Sequence, residues 1–170
     1  VLVSRSPLPP EAEWEAYIAS HDQTDAVARR LARISTLRAI GGDVLVVAAD
    51  VADRSQLAEA WRAAETRFGR VDGVIHAAGL TSGDAFKPIA RLDRDACVEQ
   101  FKPKVFGTLV LERVLADQPL DFCVLMSSLS AQLGGLGFGA YASANAFMDA
   151  FVEAGGQSRW TSIGWDGWRF

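Results

Sequence analysis

The sequence predicts an α/β domain built as a doubly wound parallel sheet, on three observations. Short β-branched runs alternate with longer amphipathic segments along the 170 residues, and strand, helix, strand, helix is the order of a parallel sheet with helices on its faces. Most of these runs are apolar throughout, as expected of strands covered on both faces. Their carboxyl ends carry small or polar residues, where ligands bind in such sheets.

In order, VLVS (1–4) reads as the first strand, followed by an inserted loop and short helix in SPLPPEAEWEAYIASHDQ. A helical pattern spans 24–40, and DVLVVAAD (43–50) is the second strand. The next helix carries Leu57, Ala60, Trp61, Ala64 and Phe68 at helical spacing, with Asp53 as its cap and Gly69 as its stop. VDGVIHAAG (71–79) and LDFCVLMSS (120–128) are the third and fourth strands, separated by a helical pattern over 93–115. A helix over 141–154 and the strand WTSIGW (160–165) complete the pattern. No repeat, low-complexity tract or second domain is visible, so residues 1–170 are expected to belong to one domain.

Composition agrees: 49% hydrophobic and 22% charged residues suit a single sizeable core. The net charge of -4, with no basic block, excludes the electrostatic footprint of nucleic-acid or anionic-membrane binding. No apolar run approaches the roughly 20 residues of a membrane span, and no signal peptide opens the sequence, which predicts a cytoplasmic location. Cys97 and Cys123 lack metal-ligand spacing and are expected to be reduced, buried small hydrophobes, with no metal site.

The strand ends offer Ser4 and Arg5, then Asp50 and Val51, then His76, Ala77, Ala78 and Gly79, then Ser127 and Ser128. Small residues in HAAG let a flat ligand lie close to the backbone. Each has an ordinary alternative: Arg5 a solvated charge, Asp50 a turn or cap, HAAG a tight turn, His76 a hydrogen-bonded histidine. Four such ends around one crevice point to a nucleotide site. SSLSAQLGGLGFGAYASAN (127–145) adds Tyr141 at a helix start, 13 residues after Ser128, with Asn145 one turn further along the same face. Lys104 lies in FKPKVFGT, on the helix before the fourth strand.

Serine, tyrosine, lysine and asparagine so placed resemble the short-chain dehydrogenase/reductase superfamily. With GVIHAAG, KPKVFGT, LDF, YASANAFMDAF and WDGW, the sequence is similar more closely to the ketoreductase domains of modular polyketide synthases, over nearly its whole length. In that branch the lysine comes from the PKV helix; in most of the superfamily it follows the tyrosine by four residues, where Asn145 stands here. The resemblance implies a Rossmann-like fold and reduction of a 3-oxoacyl thioester tethered to an acyl carrier protein, with other synthase domains as further partners. It assigns Tyr141 as proton donor, Lys104 as its electrostatic partner, Ser128 as a hydrogen-bond donor to the carbonyl oxygen, and Asn145 as holder of a water or backbone link. A phenol with an ordinary pKa near 10 needs such help at neutral pH, and an adjacent ammonium favours its charged form. Ser4 and Arg5 suit a 2′-phosphate, which makes NADPH the expected cofactor.

Three departures qualify the resemblance. The first strand and glycine-rich turn of that fold, which cradle a pyrophosphate at a helix N-terminus, are absent from the sequence; GGLGFG (134–139) belongs instead to the loop before Tyr141. A longer protein supplying them is expected. The alternative is a non-catalytic structural domain of the same fold in a megasynthase, and a free-standing reductase is a third reading. The markers of alcohol configuration are also incomplete: in place of Leu-Asp-Asp after HAAG the sequence has LTSGDAF with Asp84, and in place of a Trp eight residues before the tyrosine it has Leu133. Trp165 and Trp168 are expected on the substrate side or in the core.

Overall fold

Three aspartates start three helices. The side chain of Asp25 accepts the N–H of Ala28 at 2.7 Å, Asp53 accepts those of Ser55 and Gln56 at 2.9 and 3.1 Å, and Asp93 that of Ala96 at 2.8 Å. Each satisfies donors that the first helical turn leaves unpaired. The computed structural model describes residues 1–22, 24–81, 86–155 and 159–166; the expectations for Asp84 and Trp168 fall outside them. The described chain is α/β with parallel strand pairing throughout, in two units, 1–49 and 50–170.

In the first unit, β1 (Leu2–Ser4) pairs in parallel with β2 (Val46–Ala48), with Ser4 opposite Ala48. Between them run α1 (Trp14–Ser20) and α2 (Ala26–Ala39). Trp14, Leu31 and Ile34 form the unit's core; the Trp14 indole donates to Pro9 O at 2.9 Å, and the Arg38 guanidinium lies 4.8 Å from its ring centroid.

The second unit begins with α3 (Arg54–Phe68), which Gly69 ends at φ +77°, a left-handed backbone that favours glycine. It continues with β3 (Gly73–His76), α4 (Arg94–Phe101), a π-helical turn (Lys102–Phe106) and α5 (Gly107–Leu115). Then come β4 (Phe122–Ser128), α6 (Ser130–Leu133), α7 (Gly139–Gly155) and β5 (Trp160–Trp165). The sheet order is β3-β4-β5, with His76 opposite Leu125 and Ser128 opposite Trp165. Leu57, Leu111, Leu115, Leu125 and Met148 fill the core with Cys123, whose thiol is pushed up to about 12 by burial.

Three expectations need correction. The helix expected over 93–115 runs unbroken from Arg94 to Leu115 after its Asp93 cap but is not α-helical throughout: it widens to a π-helical turn where Pro103 has no N–H to donate back along the helix and Gly107 N–H reaches Lys102 O, five residues back. Cover on both faces fails at Leu2 and Val3, which are exposed, and at Ile75, which is 64% exposed. Among the described residues β1 and β3 each pair along one edge, whereas the central β4 alternates buried and half-buried positions beyond Phe122. Cys97 is half-buried and not part of the core; like Cys123 it is a free thiol.

Candidate active site

Lys104 sits inside the π-helical turn, 4% exposed, and its Nζ donates to Met126 O on β4 at 2.8 Å. It is not a solvated helix charge. Burial lowers its pKa from an ordinary 10.5 to about 8, with the Asp149 carboxylate pulling the other way. From there Nζ lies 5.8 Å from the ring centroid of Tyr141, in the first turn of α7. Gly79 lies against the same side chain: a Cβ there would come within 2.9 Å of Lys104 Cε.

The Tyr141 ring is set edge-on against a pair of phenylalanines that touch each other, Phe86 at 5.4 Å and Phe138 at 5.7 Å between centroids. One turn along α7, the fully buried Asn145 donates from Nδ2 to Tyr141 O at 2.8 Å. Its Oδ1 is buried with no hydrogen-bond partner. Ser127 ties β4 to α7 by donating to Asn145 O at 3.3 Å. Ser128 closes β4; its Oγ accepts the N–H of Ser130 at 3.1 Å, a turn contact that leaves the hydroxyl proton available to donate. Leu133, eight residues before the tyrosine, is 79% exposed, and Trp165 is half-buried at the end of β5.

His76 ends β3 and is 4% exposed. Its Nε2 lies 3.0 Å from Pro103 O; a carbonyl only accepts, so Nε2 carries the hydrogen. Burial, then the neighbouring Lys104 charge, push its pKa down to about 4, and the ring is neutral at neutral pH. Ala77 and Ala78 continue the chain from β3 to Gly79.

Asp50 and Val51 open the second unit. Asp50 Oδ1 accepts Ala52 N–H at 3.0 Å, its Oδ2 lies 3.2 Å from Lys102 Nζ, and it borders a surface hollow with Asp53 and Gln56. Val51 is half-buried against the core. Ser4 and Arg5 belong to the first unit, where Arg5 is exposed and Ser4 Oγ accepts a hydrogen bond from the Arg30 guanidinium.

The second unit thus brings together Lys104, Tyr141, Asn145, His76 and Gly79, with Ser128 at the end of the strand between. Sequence reasoning missed Arg30, Phe86, Phe138 and Asp149. Of these only Asp149 left a local signal, two turns beyond Tyr141 on the same helix. Within the first unit the Arg30 guanidinium and the Ser4 hydroxyl are groups of the kind that bind a phosphate, and within the second unit Gly79 brings the backbone close to the Lys104 side chain. The glycine turn for a dinucleotide pyrophosphate is not in the sequence.

The family model described as KR domain matches residues 1–169. Polyketide synthase PksL of Bacillus subtilis is 33% identical over 174 residues, covering 99% of this chain and 4% of that protein. The 6-methylsalicylic acid synthase of Aspergillus terreus is 33% identical over 172 residues, covering 99% and 9%. The chain spans under a tenth of the length of these relatives. Among solved structures, an N-terminal ketoreductase from the macrolactin assembly line superposes with a TM-score of 0.76 at 30% identity, covering 96% of this chain and 30% of that one.

Proposed function

The chain belongs to the KR domain family, the ketoreductase branch of the short-chain dehydrogenase/reductase oxidoreductases, and on that premise we propose that it reduces a 3-oxoacyl thioester on an acyl carrier protein to the 3-hydroxyacyl form, using NADPH, during polyketide assembly. Residues 1–170 form part of one ketoreductase domain in this reading, working beside other synthase domains in the cytoplasm. No helix among the described residues is long and apolar enough to cross a membrane.

The carrying observation is the buried Lys104 ammonium 5.8 Å from the Tyr141 ring. A charge held out of water acts strongly on a neighbouring phenol, because little solvent screens it. Ser128 donates a hydrogen bond to the keto oxygen, keeping its own proton, and so stabilises the charge that develops there. Tyr141 gives its phenolic proton to that oxygen, completing the alcohol. Asn145 holds the first turn of α7 through Tyr141 O, and its unpartnered Oδ1 fits a water that returns a proton towards the site. Arg5 and Ser4, with Arg30, hold the 2′-phosphate. The nicotinamide cofactor, when bound, supplies the hydride to the keto carbon.

An NADPH titration of the full-length protein, followed by reduction of a 3-oxoacyl thioester, tests the reading. Saturable binding with loss of nicotinamide absorbance on adding the thioester is the expected result. Absence of binding would leave a structural domain of the same fold.

A further inference from the structure

We infer that His76 is a positioning residue: its imidazole, through Nε2–H donated to Pro103 O, holds the π-helical turn in the register that places Lys104 Nζ beside the Tyr141 ring. The inference rests on the ketoreductase reading for its effect on turnover, but the clamp itself is a statement about geometry.

A π-helical turn is an uncommon backbone that persists where its surroundings hold it. Here Gly107 N–H is shared by Lys102 O and Lys104 O, neither of them the Pro103 O four residues back, and His76, 27 residues away in sequence, supplies Pro103 O with a donor. Thr108 makes a second tie by donating to Lys104 O at 2.5 Å. Gly107 packs beside the imidazole: a Cβ there would lie in ordinary contact with His76 Cε1, at 3.5 Å, and too close to a Val51 methyl, at 2.9 Å. The donor must also be uncharged, since an imidazolium would oppose the Lys104 ammonium; burial keeps it so. The groups facing Lys104 are His76 from β3, the Met126 carbonyl from β4, and Tyr141 and Asp149 from α7.

Two substitutions in the full-length protein separate donor from filler. His76→Gln keeps an N–H at comparable reach; His76→Phe keeps a ring and loses the donor. The readouts are the titration midpoint of Lys104, followed by NMR in protein labelled at lysine Cε and assigned with Lys104→Met, and kcat and KM for 3-oxoacyl thioester reduction. His76→Phe should lower kcat about tenfold, the worth of one hydrogen bond, with KM within about threefold, and should shift the Lys104 midpoint. His76→Gln should stay close to wild type in both. A melting temperature lowered with the Lys104 midpoint and kcat unmoved would mark a purely structural histidine and overturn the inference, as would His76→Gln damaging both as much as His76→Phe. Wild-type protein that reduces no thioester, while its Lys104 midpoint still shifts in His76→Phe, would overturn the ketoreductase reading and uphold the clamp.

Discussion

Replacing Lys104 by Met tests the electrostatic element on which the proposed activity turns. Burial brings this ammonium from an ordinary 10.5 to about 8. At about 1.4 kcal/mol per pH unit, keeping it charged at neutral pH costs the fold about 3 kcal/mol. Its folded pKa lies below the unfolded one, so between about pH 8 and about pH 10.5 the unfolded chain binds more protons than the folded one. Stability therefore rises with pH through that window. Methionine, similar in length and uncharged, lacks this dependence. From about pH 7 to about pH 9.5 the difference in unfolding free energy should move in favour of wild type by about 2 kcal/mol. Urea denaturation of both proteins at each pH measures it. Turnover of the variant should fall over the same range, with KM changing less. A stability difference flat with pH would show that burial does not hold Lys104 below its ordinary value. Unchanged turnover would remove Lys104 from the proton-transfer apparatus.

Tyr141→Phe keeps the ring against Phe86 and Phe138 and removes the acid. Ketone reduction should fall about 10²–10⁴-fold while NADPH still titrates; near-normal turnover would mean that Tyr141 only packs. Arg5→Asp should weaken NADPH roughly tenfold or more, the worth of a charged hydrogen bond, and spare NADH; equal loss of both cofactors in a binding titration would assign Arg5 to the fold. Gly79→Ala places a methyl 2.9 Å from Lys104 Cε, the far part of a flexible side chain. It should lower kcat several-fold while stability changes by less than about 1 kcal/mol, and an unaltered kcat would show that Lys104 has room to spare.

Sequence alone determined what depends on local periodicity and local hydrogen bonding. β5 falls on WTSIGW at 160–165, α3 begins at the residue after its Asp53 cap and ends at the Gly69 stop, because apolar spacing and helix capping are decided within a few residues. The Tyr141–Asn145 relation was legible for the same reason, one turn of α7 separating them. Tertiary structure alone decided what the charged and polar groups meet. Local periodicity places Lys104 on a helix without saying what its charge meets; it is a buried ammonium because β4 brings the Met126 carbonyl, 22 residues on, to its Nζ. The π-helical turn and its His76 donor join residues 27 apart, and the Phe86 edge against Tyr141 joins residues from separate elements. Burial and electrostatic shifts are sums over neighbours in space, and no periodicity along the chain records which neighbours those are.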